Sequence, residues 1–137
     1  AAAQGHAPAQ NALGCLCSKG GEGIKINYKT AALWYRSAAD QGYSEAQFHL
    51  GYLFDLGQGV AQSYEEAVKW YRLAAAQGNA DALYSLGGCY DNGEGVPQDH
   101  DEALRLYKRA TAKGQNDAAP AVKELAAWLA ATSARPK

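Results

Sequence analysis

Two glycine-rich segments carry the spacing in this chain that most resembles a chemical site. LGYLFDLGQGV includes Gly57 and Gly59, and DNGEGV includes Gly93 and Gly95. Such glycines could turn backbone N–H groups toward a phosphate, but a Walker-type loop also needs a preceding strand and a Lys-Ser or Lys-Thr pair after its last glycine. Neither segment has that pair. We therefore interpret both as turns between helices, in which glycine supplies torsions that other residues resist.

The residues that could bind a metal ion lack the spacing of a metal site. His6, His49 and His100 are scattered, and Cys15 and Cys17 form a Cys-x-Cys pair without the second pair of a structural zinc site. No metal site and no cofactor are therefore predicted. No Ser-His-Asp or Cys-His arrangement can be defined from spacing alone, so no catalytic residue is predicted and the chain is expected not to be an enzyme.

The acidic segment DNGEGVPQDHDE, residues 91–102, has the length and the end residues of a calcium-binding loop. Gly93 and Gly95 would occupy ligand positions in that loop, and Val96 would stand where glycine is required. The acidity is better explained by a solvated loop followed by a helix cap.

Composition excludes two classes of partner. A formal net charge of -1 and a pI near 6.3 give no basic surface for nucleic acid. The apolar runs in the 137 residues fall far short of the ~20 that a membrane-spanning helix needs. The predicted partner is therefore a protein or a peptide, with no nucleic acid and no membrane.

The elements that position these residues repeat along the chain at a step of 36 residues, marked by Gly42, Gly78 and Gly114. One extra glycine near Gly20 and Gly21 interrupts the first unit. A repeat of this length predicts an array of similar units, each packed on the next. The same step relates these pairs: Ala46/Ala82, Leu50/Leu86, Gly51/Gly87, Gly57/Gly93, Gly59/Gly95, Trp34/Trp70 and Tyr35/Tyr71.

Each unit is predicted to contain two helices. The second helix has a cap that fits the capping box, such as Ser63 with Glu66, and its apolar residues recur at helical spacing. Trp34 and Trp70 fall on that apolar face, which favours a place in the core over a ligand box. In the first helix, Gly51 and Gly87 are predicted where the partner helix approaches too closely for a Cβ.

The repeated pattern Ala-x3-Leu-Gly-x2-Tyr/Phe-x2-Gly-x-Gly-Val, followed by Ala-x2-Trp-Tyr-x2-Ala-Ala and a closing glycine, resembles the Sel-1-like repeat family, which is related to tetratricopeptide repeats. The likeness covers residues 7–114. It implies an all-α fold, a right-handed α-α superhelix of helix-turn-helix repeats. The first unit departs from the pattern by its extra glycine, by Cys17 where an aromatic is expected, and by Thr30 in place of the capping glutamate.

The resemblance divides the chain into one repeat array. Residues 1–6 match the end of a repeat, which suggests an excerpt from a longer array. Three repeats are predicted at residues 7–42, 43–78 and 79–114. A capping helix follows at residues 115–132, and residues 133–137 are predicted to be a frayed tail.

A partner-binding surface is predicted on the inner face of the array, opposite the apolar stripe of the first helices. Aromatic rings beside carboxylates there would suit a peptide with basic and apolar side chains. The alternative is that these rings pack against the neighbouring unit. The predicted residues are Asn11, Phe48, Tyr52, Asp55, Tyr84 and Asp91.

Three functions are compatible with the resemblance. The first is a non-catalytic scaffold or adaptor that binds a protein or peptide on the concave face. The second is binding or hydrolysis of β-lactams, to which cysteine-rich relatives have been linked, but those relatives have a cysteine pair in every repeat and this chain has only three cysteines. The third is an architectural spacer in a longer chain.

Overall fold

The computed structural model describes residues 5–133, and over this range the chain forms seven α-helices and no β-strand. The first six helices each have 13 residues and the last has 16. The helices are α1 (Ala7–Lys19), α2 (Tyr28–Asp40), α3 (Ser44–Leu56), α4 (Tyr64–Ala76), α5 (Ala80–Asn92), α6 (His100–Ala112) and α7 (Ala118–Ser133).

The helices pack in the order in which they follow one another along the chain. The closest packing joins α1 to α2, α3 to α4 and α5 to α6, and each pair then packs on the next through α2 with α3 and α4 with α5. Helix α7 packs on α6. The predicted all-α solenoid of helix-turn-helix repeats is confirmed, because an array of this kind is built from contacts between neighbouring units.

The second helix of each pair begins at a polar cap, as the sequence predicts. The Ser63 hydroxyl accepts a hydrogen bond from the Glu66 N–H at 3.2 Å, and the Asp99 carboxylate accepts one from the Glu102 N–H at 3.0 Å. The other half of the predicted capping box, a hydrogen bond from the Ser63 N–H to the Glu66 side chain, is wrong. The Ser63 N–H donates instead to the Phe54 carbonyl at 2.9 Å, which ties the turn to the helix before it.

Gly51 and Gly87 lie where a tyrosine ring of the partner helix crosses the first helix. A Cβ on Gly51 would lie 2.8 Å from the Tyr71 ring, and one on Gly87 would lie 2.7 Å from the Tyr107 ring. These distances are too short for a carbon, so the glycines allow the rings to pack directly on the helix backbone.

The turn glycines have the backbone conformation that the sequence predicts. Gly57 and Gly93 have φ of 69° and 70°, and Gly59 and Gly95 have φ of 75° and 77°. Gly59 and Gly95 also touch the backbone of the preceding repeat, at Tyr28 and Tyr64. The turns therefore contribute to the contact between repeats.

The two tryptophans differ in burial. Trp70 is 4% exposed and packs in a cluster with residues of α2 and α3, including Ala31 and Leu50. Trp34 is only half-buried, so the prediction that it is a core residue equivalent to Trp70 is wrong. The physical reason is that Trp70 lies against the preceding repeat, whereas no described helix precedes α1.

The predictions for the two ends fall largely outside the described residues. Residues 1–4 and 134–137 lie beyond the range 5–133, so the assignments of a preceding repeat and of a frayed tail rest on the sequence alone. The last helix, α7, is present, and Leu125 is buried in a cluster with Ala103 and Tyr107. Within residues 5–133, no helix is long and apolar enough to span a bilayer.

Candidate functional site

One cavity of the described chain is an open groove of about 620 Å³. The first helix of each pair contributes to it, and so does the turn that leads into α7. We call it the central groove and define it by the aromatic residues Phe48, Tyr52 and Tyr84, the imidazole of His49, and the charged residues Lys19, Asp81 and Asp117.

The aromatic residues of the central groove differ in how much surface they offer. Tyr52 is 47% exposed. Phe48 and Tyr84 are half-buried, and their rings lie 6.0 Å from the Tyr71 ring and 5.6 Å from the Tyr107 ring, respectively. Both rings therefore support the packing of the repeats and also line the groove, whereas Tyr52 leaves about half of its surface open to a ligand.

His49 forms part of the floor of the groove. Its ring stacks on Tyr35 with 4.8 Å between ring centroids, and its Nδ1 lies 3.0 Å from the Asn11 side-chain oxygen. Burial lowers the pKa of His49, and nearby Lys19 lowers it further, while Asp81 acts in the opposite direction. The imidazole is therefore held neutral more strongly than an exposed histidine.

Asn11 does not lie on an exposed surface. It is 7% exposed, and its side chain is engaged by His49 between α1 and α3. The prediction of Asn11 as a partner-binding residue assumed an exposed side chain, and that assumption is wrong. The first repeat places a small amide where the second has Phe48, and the histidine of the adjacent repeat fills the space.

Asp55 and Asp91 are engaged by tyrosines of the partner helix. The Tyr71 hydroxyl donates to Asp55 at 3.0 Å, and the Tyr107 hydroxyl donates to Asp91 at 3.3 Å. Ser18 lies 3.0 Å from the Tyr35 hydroxyl at the equivalent place in the first repeat. These carboxylates join the two helices of a repeat, and neither lines the central groove.

Asp91 lies instead in a second cavity of about 510 Å³ between the third repeat and α7. His100 Nδ1 lies 3.0 Å from the Asp91 carboxylate, and the His100 ring meets the Trp128 ring edge-on at 4.6 Å. Trp128 is 49% exposed. The predicted set is thus divided among a groove, a second cavity and the helix interfaces.

The described residues do not form a recognisable catalytic arrangement. Cys15 Sγ lies 4.0 Å from His49 Nδ1, the same nitrogen that faces the Asn11 oxygen. The tautomer that donates from Nδ1 to the Asn11 oxygen has no lone pair on that nitrogen with which to activate the thiol. Burial raises the pKa of the Cys89 thiol to about 12, which disfavours its reactive thiolate.

Metal ligands are also dispersed in the part of the chain that the structure describes. No three side chains of His, Cys, Asp or Glu are grouped there in a way that could hold a metal ion. The cysteines Cys15, Cys17 and Cys89 are free thiols.

Sequence reasoning missed the groove residues that lie beside the aromatic ones. His49 follows Phe48 at the edge of the apolar stripe, and Ser85, one repeat later, also lines the groove. The occurrence of a polar residue at the same position of two repeats, His49 and Ser85, is the sequence signal from which this part of the site could have been predicted. Lys19 and Asp117 lie at the ends of helices or in turns, where a helical-face argument does not apply.

The fold and the groove define a helix-pair repeat protein. The model of the Sel1 repeat matches residues 7–43, 44–79 and 80–115. The chain therefore belongs to the Sel1 repeat family, whose members are generally non-catalytic modules for protein interaction.

Solved structures of similar proteins have the same fold. A Sel1 repeat protein from Oxalobacter formigenes is 41% identical with a TM-score of 0.80, over 88% of this chain and 49% of that one. A protective antigen of uropathogenic Escherichia coli strains, displaying an SLR fold, is 40% identical with a TM-score of 0.78, over 82% of this chain and 24% of that one. This chain thus spans about half and about a quarter of the lengths of these two proteins.

A more distant structure shows the fold alone. Helicobacter pylori cysteine rich protein B is 22% identical with a TM-score of 0.68, over 80% of this chain and 81% of that one. A comparison with curated protein sequences found no match.

Proposed function

We propose that this chain is a non-catalytic adaptor that binds a peptide, or an extended segment of a protein, in its central groove. The observation that carries the proposal is the exposed ring of Tyr52 in a groove of about 620 Å³ that Phe48 and Tyr84 also line. Aromatic residues in a cleft supply a large contact area at a low cost in side-chain entropy, and they dominate the energetics of protein interfaces.

Family membership supports the same function. Sel1 repeat proteins generally mediate protein interactions, and repeat arrays present extended surfaces to their partners.

The test is the selection of a random peptide library on the immobilised chain, followed by calorimetry with the enriched peptides. Tyr52→Ala is expected to weaken binding about tenfold or more, because a central aromatic anchor contributes about 2 kcal/mol. Leu73→Ala is the matched control, since Leu73 is 44% exposed, close to the 47% of Tyr52, and does not line the groove. Equal binding by both variants, or no enriched peptide, would contradict the proposal.

The non-catalytic part of the proposal has its own test. We expect no turnover of the β-lactam nitrocefin by the purified chain. Saturable turnover that is retained through further purification would support the enzyme alternative instead.

A further inference from the structure

The charges of the central groove lie on different repeats and have opposite signs. Lys19 is the last residue of α1 in the first repeat, while Asp81 is in the first turn of α5 in the third repeat and Asp117 directly precedes α7. Helix α3 of the second repeat, which carries Phe48 and Tyr52, follows α1 and precedes α5 in the array. The groove therefore runs from a cationic end, past aromatic rings, to an anionic end.

Both ends act on the same central side chain. His49 on α3 is influenced by Lys19 and, in the opposite direction, by Asp81. Lys19, His49 and Asp81 also line the same groove, so the two charges do not belong to distant parts of the surface.

These charges are not neutralised within the described chain. The ion pairs among residues 5–133 join Arg36 to Asp40 and Arg105 to Glu102, and His100 contacts Asp91. None of these contacts includes a charged residue of the groove. Asp81 accepts a hydrogen bond from the Gln115 amide at 2.5 Å, but this donor is neutral. A ligand of complementary charge can therefore pair with each end without first breaking an ion pair of the described chain.

We propose that the groove selects its peptide by the order of charges. The preferred ligand has an apolar side chain over Tyr52, a cationic side chain at the Asp81 and Asp117 end, and an anionic group at the Lys19 end. This inference rests on the proposed function and deepens it by naming the chemistry of the partner. Complementary charges fix the register and direction of a bound segment and disfavour the reversed arrangement.

The test uses two synthetic peptides of identical composition, taken from the enriched library. One has the selected order of basic, apolar and acidic residues, and the other has the basic and acidic residues exchanged. We expect the chain to prefer the selected order by about tenfold at low ionic strength, with the preference reduced as salt is added.

A pair of charge exchanges supplies the matched comparison. In the variant that combines Lys19→Glu with Asp81→Lys, the Lys19 end becomes anionic, the Asp81 and Asp117 end becomes neutral, and the net charge is unchanged. The preference is therefore expected to invert, with a smaller magnitude than in the parent chain. The control combines Asp101→Lys with Lys108→Glu on α6, where both residues are exposed and outside the groove. The control is expected to keep the preference of the parent chain.

The outcomes separate the two proposals. Peptides that depend on Tyr52 but bind equally in both charge orders would overturn the inference and leave the proposed function standing. Absence of peptide binding would overturn both. Self-association of the chain through the groove, seen as a dimer that Tyr52→Ala dissociates, would identify a second copy as the occupant and overturn the inference.

Discussion

Tyr107 packs directly on the backbone of α5, because Gly87 leaves no side chain in the way. The neighbouring Gly88 lies in the same helix, but the nearest atom to a Cβ placed there is the Tyr107 hydroxyl oxygen at 3.8 Å, an ordinary contact. Two adjacent glycines therefore experience different packing within one turn of helix.

This difference gives a prediction at the residue scale. Gly87→Ala is expected to lower the free energy of unfolding by about 1–3 kcal/mol, because the ring must move away from the new methyl group. Gly88→Ala is expected to raise it by up to about 1 kcal/mol through the better helix propensity of alanine. Urea unfolding measures both, and equal effects of the two substitutions would contradict the packing argument.

His49 gives a second prediction at this scale, in the pH dependence of stability. Its pKa in the folded state lies below the ordinary value of 6.5, mainly because burial disfavours the charged imidazolium. As the pH falls, the unfolded chain binds this proton first. The contribution of His49 to stability is therefore complete above the unfolded pKa and is lost as the pH falls below it.

The variant His49→Gln isolates that contribution, because glutamine does not titrate and can still donate to Asn11. Urea unfolding near pH 7.5, 6.5 and 5.5 is expected to show the parent chain losing stability relative to the variant as the pH falls. Parallel stability curves for the two proteins would show that His49 is not shielded from protonation.

At the scale of the elements, the turn of one repeat packs on the second helix of the repeat before it. Gly95 has φ of 77°, and a Cβ there would lie 2.6 Å from the Tyr64 carbonyl oxygen. Gly23, at the equivalent place in the first repeat, has φ of 75° but no atom within 4 Å of such a Cβ. The two glycines share a backbone conformation and differ in their surroundings.

Gly95→Ala and Gly23→Ala should therefore separate backbone strain from contact between repeats. Both substitutions carry the cost of about 1–2 kcal/mol for a left-handed alanine. We expect Gly95→Ala to cost more than this in urea unfolding, because the turn must also move away from α4. A difference within experimental error would mean that the turn contributes nothing to the contact.

The sequence predicted the helices and turns well because their signals are local. Caps such as Ser63 and turn glycines such as Gly57 act within a few residues, and the repeat brings each signal back one unit later. The engagement of Asp55 by Tyr71 could not be read in this way. A helical-face argument says which side of a helix a residue occupies, but it does not say which side chain of the partner helix reaches that residue.

At the scale of the whole molecule, contact between successive elements governs stability. Helix α4 packs between α3 and α5, whereas α7 lies at the end of the described array and packs mainly on α6. Local openings in such an array are expected to begin at the ends and to leave the centre folded.

Hydrogen exchange tests this expectation. Backbone amides in α3, α4 and α5 should be the most protected, and those in α7 should exchange through smaller openings. Leu125→Ala removes a buried contact with Ala103 and Tyr107, and it is expected to raise exchange in α7 and α6 without changing α2 or α3. Equal acceleration along the whole chain would indicate a single cooperative unit instead.

The groove was harder to predict than the fold because it depends on how the repeats stack in the whole molecule. Repeat spacing placed Phe48, Tyr52 and Tyr84 on one surface, and the structure has all three in the groove. Lys19 and Asp81 are separated by two repeats and lie near opposite ends of their helices, so only the stacking of the units brings them to one cavity. The prediction for Asn11 was wrong for a related reason, because its burial depends on His49 of the next repeat.

The junction around Trp70 lies between the first two repeats, both of which line the groove. Trp70 packs against residues of the first and second repeats. A smaller or larger side chain there is expected to change how the two repeats meet, and with it the position of Lys19 relative to the rings of α3. If the groove binds a peptide as proposed, its ligand preference is expected to respond to substitutions at this junction, in residues that do not line the groove.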